Sequence, residues 1–169
     1  MKANQSTTLL FTLLTLPIFA QENIIKLGFL GSGGTLSGLQ FERSITKQIS
    51  FLGEIGYAEV IDILGVESNK GFGLYGEGRY YFSKNKDLME GWHSGIYLYY
   101  LNTKGDDSSY SDYHVNAFSV GLNGGYQFIF SSHISLDLLA GGGIRFASGT
   151  FDSDTDFYPL LGLSLGYNF

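Results

Sequence analysis

Apolar and polar residues alternate along most of the chain. Over residues 117–130, Phe118, Val120, Leu122, Gly124, Tyr126, Phe128 and Phe130 occupy the even positions. The odd positions hold Ser119, Gly121, Asn123, Gly125, Gln127 and Ile129. Successive side chains of a strand point to opposite faces, so this period of two predicts a strand with one apolar face. Residues 134–147 and 157–169 read the same way. In the last segment Phe157, Pro159, Leu161, Leu163, Leu165, Tyr167 and Phe169 share one side, and Tyr158, Leu160, Gly162, Ser164, Gly166 and Asn168 share the other. The N-terminal half is less regular: Ile25, Leu27 and Phe29 oppose Lys26 and Gly28, and Phe51, Ile55 and Tyr57 oppose Ser50, Glu54, Gly56 and Ala58. The alternation predicts strands at 24–31, 35–44, 49–60, 71–82, 92–102, 114–130, 134–147 and 157–169, an even number.

The predicted connections differ in kind. Residues 45–48, 83–91 and 131–133 are mostly short, whereas 61–70, 103–113 and 148–156 are longer and polar; 32–34 breaks the pattern by being short. Short turns on one rim and long loops on the other is the arrangement of outer-membrane barrels. The long connections hold Asp62, Glu67, Asp106, Asp107, Asp112, Asp152, Asp154 and Asp156 against Lys70 and Lys104. Asp152, Asp154 and Asp156 alternate as in a calcium loop but lack its glycine and distal glutamate. They read as a solvated acidic loop that divalent cations would bridge to lipopolysaccharide phosphates.

Composition decides which solvent each face meets. Charged residues are 15% of the 169, against about 25% in an ordinary soluble domain. The non-apolar face is built mainly of Gly, Ser, Ala and Tyr, with too few ions for a water-exposed surface. Those small and polar groups suit the interior of an eight-stranded barrel, which holds only interdigitating side chains. The apolar face then meets lipid, and closure pairs every backbone group. Phe51, Tyr57, Phe82, Trp92, Tyr126, Phe128, Phe130, Tyr167 and Phe169 lie near strand ends, as interfacial girdles require. The predicted fold is an all-β, eight-stranded antiparallel up-and-down transmembrane barrel; a soluble periplasmic β-barrel is the rival fold.

The N-terminus predicts the compartment. Residues 9–20 (LLFTLLTLPIFA) follow Lys2 and are too short to span a bilayer, but suit a signal-peptide core. Cleavage is expected between Ala20 and Gln21, giving a signal peptide at 1–20 and a barrel domain at 21–169. Export removes Lys2 and moves the net charge from −6 to −7.

Candidate chemistry is sparse. The chain has no cysteine, hence no disulfide and no thiolate site. His93, His114 and His133 lie in separate segments, so no metal site is expected. The Gly33–Gly34 and Gly124–Gly125 pairs and the 141–143 triplet precede no helix, so they are not nucleotide loops. No cofactor is expected, and net −7 argues against nucleic acid as a partner. Inward ions are expected at Lys26, Glu42, Glu54, Glu77, Arg79, Asp137 and Arg145, with Gln40 beside them. Buried ions must pair, so these eight residues are expected to form a polar network that plugs the barrel.

The eight strands, the signal peptide and the terminal Leu165–Gly166–Tyr167–Asn168–Phe169 resemble small outer-membrane barrels of the OmpX and OmpA-barrel kind. Gln40–Phe41–Glu42–Arg43, Gly78–Arg79–Tyr80–Tyr81–Phe82 and Gly124–Gly125–Tyr126–Gln127 are similar to a bacterial outer-membrane family of unknown function. The resemblance implies residence in the outer membrane of a Gram-negative-type bacterium, among its lipid and lipopolysaccharide. It also implies that Leu163, Leu165, Tyr167 and Phe169 are the signal read by the barrel-assembly machinery. The expected role is non-enzymatic, structural or surface-interacting, with no specified extracellular partner. A narrow channel for small solutes or ions is the alternative. A lipid A-modifying enzyme at His114 is the third reading, although no serine stands in the deacylase motif position.

Overall fold

The computed structural model describes residues 23–31, 35–61, 68–83, 89–107, 110–131, 133–149 and 153–169. The predicted signal peptide, with Ala20 and Gln21, lies outside them. Eight antiparallel strands close in chain order: β1 (Asn23–Gly31), β2 (Thr35–Ser44), β3 (Ile49–Ile61), β4 (Ser68–Tyr81), β5 (Gly91–Asp107), β6 (Tyr110–Phe130), β7 (Ile134–Gly149) and β8 (Ser153–Asn168). β1 closes on β8 from Ile24↔Asn168 to Gly31↔Leu161. Closure leaves no strand edge unpaired.

The alternation sorts side chains as the sequence predicts. Leu27, Phe29, Leu39, Ile55, Ile96, Leu122, Leu161 and Leu165 are each more than half exposed on the outside. A continuous apolar exterior of this kind is a lipid-facing surface in form. Aromatics bracket it. Phe51, Tyr80, Phe82, Trp92, Phe128, Phe130, Tyr167 and Phe169 are exposed near the rim that carries the described chain ends, and Tyr57, Phe72, Phe118, Phe146 and Phe157 toward the other.

The strands run further than their apolar alternation. β5 and β6 pair through Thr103↔Val115, Lys104↔His114 and Gly105↔Tyr113, so much of the expected long loop at 103–113 is ladder. β8 begins at Ser153, and Asp154 and Asp156 are opposite Ala147 and Arg145 in β7. The expected acidic loop at 148–156 is therefore mostly strand. β3 and β4 pair out to Ile61↔Ser68, shortening the third expected loop. The physical reason is that apolar side chains are needed only where lipid is, while the backbone ladder continues with polar ones.

Gly38 and Gly56 face each other across β2 and β3. A Cβ on Gly38 would stand 2.7 Å from Gly56 Cα and 2.8 Å from the Ile55 carbonyl carbon. Both are backbone atoms that yield only by moving a strand. Gly38→Ala is expected to lower stability by about 1–3 kcal/mol, read as a lower urea midpoint of the refolded protein. Gly78→Ala is the control, since a Cβ there meets nothing within 4 Å.

The interior is layered, with apolar side chains on either side of the expected polar filling. Nearest the chain ends, Ile24, Tyr81 and Met89 form an apolar lid. Charged side chains lie above it. Beyond them Leu30, Leu36, Ala58, Leu101, Ala117, Leu139 and Leu160 pack with Tyr75, Tyr97, Tyr99 and Tyr158, and Leu52, between Glu42 and Glu77 in the register, joins this packing. Leu30, Leu36 and Leu52 stand at inward positions, where the bore is filled as a protein core is.

Candidate functional site

The charged layer is assembled by β1 through β7. Alternation aims Lys26, Glu42, Ser50, Glu77, Arg79, Tyr81, His93, Gln127 and Asp137 inward, and the register brings them to one level. Arg79 Nη1 lies 2.5 Å from Asp137 Oδ2 and 3.4 Å from Glu42 Oε2, while Nη2 lies 2.9 Å from Glu77 Oε2. Lys26 Nζ lies 2.5 Å from Glu42 Oε2 and 3.3 Å from Asp137 Oδ2, and also donates to Gln127 Oε1. Two cations thus hold three carboxylates.

Neutral groups satisfy part of what remains, while Glu77 Oε1 and Arg79 Nε are buried without a hydrogen-bond partner. Glu42 Oε1 accepts from Ser50 Oγ at 2.6 Å and from the Tyr81 hydroxyl at 2.7 Å. The Tyr75 hydroxyl donates to Glu77 Oε2 at 2.8 Å and accepts from Asn123 Nδ2 at 2.9 Å. His93 Nε2 is 3.0 Å from Asp137 Oδ1. Gln127 Nε2 donates to the Met89 carbonyl at 2.6 Å, tying the cluster to the lid. Met89 holds this position with φ of 61°, a left-handed conformation uncommon for a residue with a side chain.

Three of the expected network members stand elsewhere. Gln40 and Glu54 pair with each other, Nε2 to Oε2 at 2.8 Å, without joining the cluster. Arg145 grips Asp156 at 2.9 Å and 2.5 Å near the opposite mouth, with its guanidinium 5.0 Å from the Tyr158 ring centre. They differ because alternation fixes the face of the sheet but not the height along the barrel. Asp156 is consequently a strand residue with a cation of its own, not part of a free acidic loop.

Tyr81, expected inside with Tyr75, Tyr97 and Tyr99, joins the cluster; His93, Gln127, Ser50 and Asn123 complete it, yet sequence reasoning did not assign them to it. Their inward parity was legible; their common level needed the register.

Chemically, the cluster is closed. The side chains of Lys26, Glu42, Glu77, Arg79, His93 and Asp137 are at most 2% exposed. Among the described residues, no group of three or more His, Cys, Asp or Glu is arranged to hold a metal ion. The His114 side chain lies outside the description, and Ser119 is buried inside the barrel.

A family model described as "Protein of unknown function (DUF3575)" matches residues 6–154. Among curated proteins no relative matches the chain. The fold is that of solved outer-membrane barrels. The N-terminal β-barrel domain of Pseudomonas aeruginosa OprF superposes with a TM-score of 0.51 at 15% identity, over 89% of this chain and 100% of that one. Neisserial surface protein A superposes with a TM-score of 0.54 at 13% identity, over 87% of this chain and 94% of that one.

Proposed function

The chain belongs to the DUF3575 family of proteins of unknown function, and from that premise we propose an integral outer-membrane barrel with a structural or surface-interaction role. The observation that carries this reading is the sealed charged layer. Its ions are at most 2% exposed and lie between an apolar lid and a leucine–tyrosine layer. An ion entering from the chain-end side meets the apolar lid first, and one entering from the other side passes the Arg145–Asp156 pair and then meets the leucine–tyrosine layer. This supports a closed barrel over a channel, since eight strands leave no aqueous bore without displacing the filling.

The proposed setting is an outer membrane reached by cleavage after Ala20. The outward Leu163, Leu165, Tyr167 and Phe169, each roughly half exposed, are the proposed contact for the assembly machinery. They lie on or beside β8, which closes the barrel against β1. No catalytic role is proposed for His114.

Two measurements test the proposal together. Detergent fractionation with heat-modifiable gel mobility is expected to find the mature chain in the outer membrane as a compact barrel. Planar-bilayer recording is expected to show no sustained open state; a steady conductance would overturn the closed reading and favour the channel.

A further inference from the structure

Lys70 and Lys104 are Cα partners across β4 and β5, and both are exposed. They continue the outward parity of Phe72 and Tyr100, one step beyond the apolar band. Like charges placed directly opposite on one face destabilise a sheet unless something separates or neutralises them. Among the described side chains, which do not include those of residues 105–115, neither ammonium has an ion-pair partner. Glu59 is the cross-strand neighbour of Lys70 on the other side, without a salt bridge to it.

The surface beneath is ordered. Phe72 and Tyr100 lie with ring centres 6.2 Å apart. At the next level Asn102 Nδ2 and the Tyr100 hydroxyl both donate to Asn116 Oδ1, at 2.6 Å and 3.1 Å. That acceptor is thereby engaged, and the NH2 group is the remaining polar function of the exposed Asn116 side chain. From the bilayer outward this face presents leucine, then aromatic rings, then amide donors, then two ammonium groups. An amphiphile with acyl chains, a hydroxyl-bearing sugar and a phosphate presents the complementary sequence.

We propose that the outer face of β4, β5 and β6 binds a phosphate of an outer-leaflet glycolipid of the lipid A type, through Lys70 and Lys104, with Asn102 and Asn116 facing its sugar. The proposal rests on the outer-membrane reading, with the chain-end rim on the periplasmic side. It names a lipid site on the barrel wall, separate from the acidic tips.

The test uses the full mature chain purified from outer membranes in mild detergent, with bound lipid A quantified per barrel by mass spectrometry. Wild type is expected to retain lipid A. Each basic residue near an anionic surface contributes enough that the Lys70→Gln/Lys104→Gln double variant is expected to bind about 30-fold more weakly. Lys47→Gln, in an exposed turn of the chain-end rim, is expected to bind as wild type does. Phosphatase-treated lipid A added back to delipidated protein is expected to bind as weakly to wild type as intact lipid A does to the double variant. Equal retention by wild type and the double variant, or undiminished binding of the phosphate-free lipid, would overturn the site. Fractionation of the same cells separates the two failures: a wild-type chain absent from the outer membrane refutes the location, whereas one present there without lipid A refutes only this site.

Discussion

Arg79→Ala is expected to cost the barrel about 3–5 kcal/mol, the range for removing one partner of a buried ion pair. The reason is the arithmetic of the charged layer. Among the described residues, Arg79 is the only cation that touches all of Glu42, Glu77 and Asp137. Lys26 reaches Glu42 and Asp137 but has no contact with Glu77. Without the guanidinium, Glu77 keeps the Tyr75 hydroxyl alone and stays buried with an uncompensated charge. Urea titration of the refolded protein, followed by the heat-modifiable band, reads the loss as an earlier midpoint. Adding Glu77→Gln to Arg79→Ala removes the stranded carboxylate and is expected to recover part of the stability, because neighbouring members of one network are not additive. An unchanged midpoint in the single variant would show that the network contributes nothing to holding the strands.

Leu161→Arg has the second largest expected effect, and it tests the other face. Leu161 lies midway along the outward row of β8, is 64% exposed, and pairs with Gly31 in β1 and Ala140 in β7. On a protein surrounded by water, such an exposed substitution usually falls within about 0.5 kcal/mol of neutral. On a barrel facing hydrocarbon, an arginine at the midplane costs about 2–4 kcal/mol, falling to about 0–1 near the interface. Folding into phosphatidylcholine vesicles, with Ser148→Arg at the far rim as the reference, is expected to show that depth dependence. Equal stability of the two variants would refute the lipid face.

The two substitutions mark the two faces that alternation had already separated. Leu161 and Lys26 were assigned to opposite sides by parity alone, because a strand reverses its side chains at every residue. The same parity placed Glu42, Glu77, Arg79 and Asp137 inside. It placed Arg145 inside as well, and there it was insufficient, since Arg145 belongs to the other mouth with Asp156. Gln40 and Glu54 show the same limitation on a smaller scale, as a separate pair on β2 and β3. His93 and Gln127 were overlooked because nothing in a period of two ties a residue of β5 or β6 to Asp137 in β7. The acidic run 152–156 failed for another reason: polar composition resembles a loop, but a ladder beyond the lipid needs no apolar residue.

The sequence by itself determined the number of strands, the face of nearly every side chain and the solvent each face suits. These are local properties, set by the two-residue period and by a charge content too low for a water-exposed wall. The tertiary structure decided the height of each residue along the barrel. From that followed which ions meet, that apolar side chains pack on either side of them, and that Lys70 and Lys104 face each other on the outer wall. Height depends on the register of eight strands and on closure of β8 against β1, a sum of pairings between distant segments that no local pattern encodes.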